Sequence, residues 1–117
     1  KDTIQYFQRK HIDSITPDLP INPDLYCDNM MRYRQMIYPL CKSHNTFLLA
    51  PVQTVQQVCQ TISRQTKILS RVTFTFVFCV DTGSIHPPNC NYHGYIMSGR
   101  IRVTCKNYVP IHFNGFI

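Results

Sequence analysis

The stretch RVTFTFVFCV, residues 71–80, sets Val72, Phe74, Phe76 and Phe78 in alternation with Arg71, Thr73, Thr75 and Val77. A period of two, carried by β-branched and aromatic side chains, predicts a strand. A second run, RIRVTCK (residues 100–106), alternates Arg100, Arg102, Thr104 and Lys106 with Ile101, Val103 and Cys105. One face should therefore be buried and the other should present three cations together. Between these runs DTGSIHPPNCNYHG is turn-rich, and YVPIHFNGFI closes the chain as a last strand.

Upstream the period changes to that of a helix. In residues 3–12, TIQYFQRKHI, Ile4, Phe7 and His11 fall on one face, with Asp2 and Thr3 as caps. The three prolines of TPDLPINP, residues 16–23, make a loop. From Asp24 to Met36, Leu25, Cys27, Met30, Met31 and Arg34 give a second helix with an apolar stripe and a basic side. A third opens at Pro51 and repeats Val52, Val55, Val58 and Cys59. Helices early and antiparallel strands later describe an α+β fold in one domain, residues 1–117.

Composition narrows the function. Six cysteines without a CxxC pair favour three disulfides and an oxidising compartment over a zinc site. His86, Cys90 and His93 are close in sequence, but Cys90 is wanted by a disulfide, so neither metal nor cofactor is expected. No apolar run reaches the roughly eighteen residues of a membrane span, and KDTIQYF is not a signal core, so a secreted chain is expected. A formal charge of +6 favours polyanions: nucleic acid, heparin-like glycan or an anionic membrane. The cluster Arg32, Tyr33, Arg34 is read as a solvated basic face.

Chemistry concentrates in three stretches. In FQRKHID, residues 7–13, Arg9 and Lys10 crowd His11, and positive neighbours disfavour the imidazolium. A neutral imidazole suits a general base awaiting a phosphate. CKSHNTF, residues 41–47, joins Lys42 to Asn45 and Thr46, which offer donors and acceptors, with His44 between them. VPIHF sets His112 in an apolar strand.

These three motifs, in this order and interleaved with the six cysteines, resemble the pancreatic-type ribonuclease superfamily from the first helix to the last strand. The six-cysteine pattern and the short step from Cys105 to His112 look like its angiogenin-like branch. The resemblance implies an RNase A-like fold, with a V-shaped antiparallel sheet, three short helices and a substrate cleft. It also implies the disulfides Cys27–Cys79, Cys41–Cys90 and Cys59–Cys105.

The implied activity is cleavage of single-stranded RNA after pyrimidines through a 2′,3′-cyclic phosphate, with no metal and intermediate turnover. His11 would be the base, His112 the acid and Lys42 the cation facing the transition state. Arg9 and Lys10 would hold the RNA backbone, Thr46 would read the base against a Phe113 wall, and Asn45 would order the loop. Asn114, in place of the family's aspartate, would orient His112. Gly115 stands where the angiogenin branch has an obstructing glutamine, so the pyrimidine site should be open unless Phe116 and Ile117 fold over it. The alternative implied by the branch is an angiogenic or bactericidal cationic protein with weak cleavage. Its partners would be heparin-like glycans, bacterial membranes or a cell-surface receptor, with nuclear or nucleolar uptake. A monomer is expected in either case.

Overall fold

The computed structural model describes residues 2–15 and 18–117; Thr16 and Pro17 of the proline-rich loop lie outside the described residues. The alternating stretch forms β3 (Phe74–Asp81), flanked by β1 (His44–Leu48) and β4 (Tyr92–Gly99) in an antiparallel sheet of order β1-β3-β4. A second antiparallel sheet contains β2 (Thr66–Leu69), β5 (Ile101–Lys106) and β6 (Val109–Phe116), in the order β2-β5-β6. Three helices, α1 (Ile4–His11), α2 (Pro23–Tyr33) and α3 (Val52–Gln56), complete an α+β fold; a 3-10 turn at Gln57–Cys59 extends α3.

Two cores meet at β3, and this explains its composition. Phe74 and Phe76 enter one core with Phe7, Leu48, Val55, Ile101 and Val103. Val77 and Cys79 turn the other way, to Cys27, Met31, Phe47 and Tyr92. Both faces of the strand are thus covered, so the alternation gives way to the continuous apolar run FVFCV. Each fully buried phenylalanine contributes about 2 to 3 kcal/mol.

Disulfides join Cys27 to Cys79, Cys41 to Cys90 and Cys59 to Cys105, the pairing implied by the resemblance. They close loops of 52, 49 and 46 residues, each worth about 4 kcal/mol in the chain-entropy account. Among the described residues, no helix is long and apolar enough to cross a membrane.

Several expectations are corrected. The second helix stops at Tyr33 rather than Met36, because Gln35 takes a left-handed φ of 64°. Its Leu25 is 54% exposed, so the buried stripe rests on Cys27 and Met31. Pro51 is the N-cap of α3, not its first residue. Val72 precedes β3 and is exposed.

Arg100 does not share the cationic face of β5. It lies before the strand, donating from Nε to the Ser70 carbonyl (2.6 Å), while its backbone N–H and carbonyl pair with Ile117. Arg34 is not on a solvated face either. Its guanidinium donates to the carbonyls of Gln8 (3.0 Å) and Arg9 (2.7 Å), capping the C-terminal end of α1.

Candidate active site

Helix α1 presents its residues to the site because both of its ends are held. The Thr3 hydroxyl accepts from Tyr6 N–H at the start, and Phe7 anchors one face in the core. At the exit Ile12 bridges Leu48 of β1, and Asp13 N–H donates to the Leu48 carbonyl. His11, one turn beyond Phe7, is thereby buried against Thr46.

The His11 Nδ1 lies 3.0 Å from the Thr46 carbonyl. A carbonyl can only accept, so Nδ1 carries the proton and, in the neutral ring, Nε2 is left as an unprotonated acceptor. Burial holds the imidazole well below its ordinary pKa, at about 3, against the opposing pull of the Thr46 carbonyl; Lys42 and Lys10 add to the depression. The neutrality expected from crowding by cations is present, but desolvation leads it and Arg9 takes no part.

Asn45 ties the first two motifs together. Its Oδ1 accepts from Lys42 Nζ (2.8 Å), and its Nδ2 donates to the Lys10 carbonyl at the end of α1 (2.7 Å). Lys42 is brought down to about 8 by burial first, then by Lys10 and Arg9. Lys10 itself lies over the Tyr6 ring and borders the cleft.

A cleft of about 420 Å³ gathers His11, Lys10, Lys42, Asn45, Thr46, His112, Phe113 and Asn114. The Phe113 ring stands 4.9 Å from that of His11. Strand β6 delivers its residues through two register shifts that leave Ile111 and Asn114 as extra residues opposite β5. Between the two shifts, His112 and Phe113 stand opposite Thr104 and Val103, and both border the cleft.

Two expected site residues are placed otherwise. Arg9 is not among the cleft residues; its guanidinium donates to the Arg34 carbonyl, on the far side of α1. Asn114 donates from Nδ2 to the Thr104 hydroxyl (2.8 Å) rather than orienting His112, since the bulge turns it toward β5. The group beside His112 is Asp2, with Nε2 and Oδ1 3.2 Å apart and the two side chains 46% and 62% exposed. In the sequence Asp2 carries only the signal of a helix cap, because a contact between residues so far apart in the chain leaves no local trace.

His44 also borders the cleft, with its ring 5.9 Å from that of Phe78. The C-terminal tail stays in the sheet, with Ile117 pairing with Arg100, but Phe116, packed on Phe76 and Phe78, borders the cleft together with Phe78 and Gly115. Gly115 leaves open space, with nothing within 4 Å of a Cβ built there.

Comparison with known proteins agrees with the geometry. The family profile described as pancreatic ribonuclease matches residues 2–114. The chain is 37% identical over 110 residues to the ribonuclease pancreatic of Iguana iguana, covering 92% of each. It is 32% identical over 117 residues to ribonuclease 4 of Homo sapiens, covering 95% of this chain and 78% of that protein. Among solved structures, green turtle egg white ribonuclease superposes with a TM-score of 0.85 at 29% identity, over 97% of this chain and 98% of that one.

Proposed function

The chain belongs to the pancreatic ribonuclease family, and from that premise we propose that it is a secreted, metal-independent endoribonuclease that cuts single-stranded RNA on the 3′ side of pyrimidines. The observation that carries this reading is the His11–Thr46 contact, which supports an unprotonated Nε2 beside Lys42 in a cleft that also holds His112.

In the proposed reaction His11 Nε2 takes the proton of the ribose 2′-hydroxyl, and the 2′-oxygen attacks the adjacent phosphorus. The bond from phosphorus to the leaving 5′-oxygen breaks, and His112 gives that oxygen its proton. The product is a 2′,3′-cyclic phosphate. Lys42 offsets the extra negative charge on the phosphoryl oxygens in the transition state, where a preorganised cation acts most strongly. An arriving phosphate also opposes the depression of His11 by supplying a negative neighbour. DNA lacks the nucleophile and is not cut.

Base choice falls to Thr46, whose hydroxyl can donate to cytosine N3 or accept from uracil N3–H, with Phe113 as the apolar wall. Turnover is intermediate: Gly115 keeps the pyrimidine end open, while Asn114 lends no charge to His112 and Asp2 does so only from an exposed position. Nothing in the fold or the cleft favours the angiogenin-like alternative over this reading.

The test is cleavage of poly(C), poly(U), poly(A) and DNA by the parent and by His11→Ala and His112→Ala. Cleavage confined to the pyrimidine polymers is expected, with both variants slower by roughly three orders of magnitude or more at an unchanged fold. Near-parental turnover in either variant overturns the mechanism.

A further inference from the structure

We propose that Asp2 is a positioning residue for His112: its carboxylate holds the Nε2 side of the imidazole, so that Nδ1 delivers the proton to the leaving 5′-oxygen. The proposal deepens the reading of His112 as the acid and rests on it.

The residues lining the cleft include Lys10, His11, Lys42 and His112 but no carboxylate. Asp2 supplies one from its rim, with Oδ1 3.2 Å from His112 Nε2. Four other carboxylates are engaged elsewhere: Asp13 accepts from Tyr26, Asp24 from Gly94 N–H, Asp28 from Tyr92 N–H and Asp81 from Gly83 N–H. Asn114, the neighbour expected to orient His112, donates to the Thr104 hydroxyl instead. Among the described residues Asp2 is therefore the ion partner of His112.

The approach is built into the start of α1. Thr3 caps the helix, its hydroxyl accepting from Tyr6 N–H and its carbonyl from Phe7 N–H, and Phe7 is buried. Asp2 directly precedes this cap, so the cap fixes the point from which its side chain reaches out. The helix in turn packs on β6, with the Phe113 ring 4.9 Å from that of His11. Its 8 residues span about 12 Å. One end of α1 thus carries His11, and the other sets a carboxylate against His112.

Charge sets the tautomer. An ionised carboxylate only accepts, so the ring nitrogen facing it is favoured with its proton on. That nitrogen is Nε2, and the proton left for transfer is the one on Nδ1. His11 is arranged the opposite way, with Nδ1 held by the Thr46 carbonyl and Nε2 left to accept. Base and acid each have one nitrogen held by an oxygen acceptor and the other offered to the substrate. When the bond from phosphorus to the 5′-oxygen breaks, that oxygen takes the Nδ1 proton. The ring is left neutral with Nε2–H still toward Asp2, and no proton passes to the carboxylate.

Obstruction is the opposing reading, since a carboxylate close to a phosphate site repels the phosphate. Asp2 faces the ring nitrogen and is not among the lining residues, which favours positioning. The two side chains are 46% and 62% exposed, so the effect is that of a screened ion pair.

The test uses two substrates that differ in leaving group. Cytidylyl-adenosine releases a ribose 5′-oxygen that must be protonated, whereas the para-nitrophenyl ester of cytidine 3′-phosphate releases a stable phenolate that needs no acid. Asp2→Asn is expected to lower kcat on the dinucleotide about threefold to fivefold with KM nearly unchanged, and to alter nitrophenyl ester cleavage less than about 1.5-fold. Asp2→Glu keeps the charge and should recover most of the loss. Equal slowing of both substrates by Asp2→Asn marks a merely structural role and overturns the proposal. A faster dinucleotide reaction overturns it in favour of obstruction, and no change on either substrate overturns it outright.

His112→Ala on the same two substrates tests the underlying assignment separately. A large loss confined to the dinucleotide supports the acid on which the proposal depends. Equal loss on both rejects that acid and the proposal with it, as does a parent that cuts neither.

Discussion

Replacing Asn45 by alanine cuts the link between the lysine motif and the end of α1. Its side chain is 2% exposed and has both polar ends engaged, at 2.8 Å to the Lys42 ammonium and 2.7 Å to the Lys10 carbonyl. The first is a charge-assisted bond worth about 2 kcal/mol, and the second about 1 kcal/mol. Alanine supplies neither, and a half-buried ammonium and a helix-end carbonyl are left to find water. A loss of about 3 kcal/mol is expected, which at this chain length lowers the melting temperature by roughly 12 °C. Thermal unfolding followed by circular dichroism measures it. Asn45→Asp separates the two bonds: it keeps an acceptor for Lys42 but sets a carboxylate against the Lys10 carbonyl. It should lose stability and also raise the Lys42 pKa, moving the alkaline limb of cleavage upward. An alanine variant melting within about 3 °C of the parent would refute the link, because that corresponds to less than about 1 kcal/mol.

Since Lys42 sits at about 8, cleavage should decline as pH rises through that value and the ammonium loses its proton. Lys10→Gln removes one of the charges that depress it, so the limb should move to higher pH in a kcat profile. His11 titrates at about 3 when folded and at 6.5 otherwise, so between these values the unfolded chain binds the extra proton and stability falls as pH falls. The loss by pH 5 is about 2 kcal/mol; in urea titrations the parent should lose about that much unfolding free energy between pH 7 and pH 5, and His11→Gln should be spared this loss. Gly115→Ala should cost about 1 to 2 kcal/mol despite the open space around it, since its φ of +123° is one that a side chain disfavours; chemical denaturation measures this.

Short-range pattern is legible in the chain without any coordinates. The helical spacing of Ile4, Phe7 and His11 specified α1, and the alternation along residues 71–80 specified β3. The three motifs and six cysteines carried the family, because residue identities at fixed spacing survive without any knowledge of contacts. β1, β2 and β4 were less legible: CKSHNTF was read for its chemistry, and YIMSG follows a turn-rich run without alternation. Exposure on β4 includes Tyr95, Ile96 and Met97, so no buried face marks the period.

Partners across the chain come from the packing of separate elements. Periodicity placed Arg9 and Arg34 on basic faces, but packing of α1 beside the end of α2 turned each toward the other's backbone carbonyls. The β6 bulge sent Asn114 to Thr104, and the approach of the N-terminus put Asp2 beside His112. Cations near His11 predicted its neutrality, yet the larger cause is desolvation, which depends on how many atoms from distant segments close around the ring. A window of sequence fixes which way a side chain points from its own element; what it then meets depends on how separate elements pack.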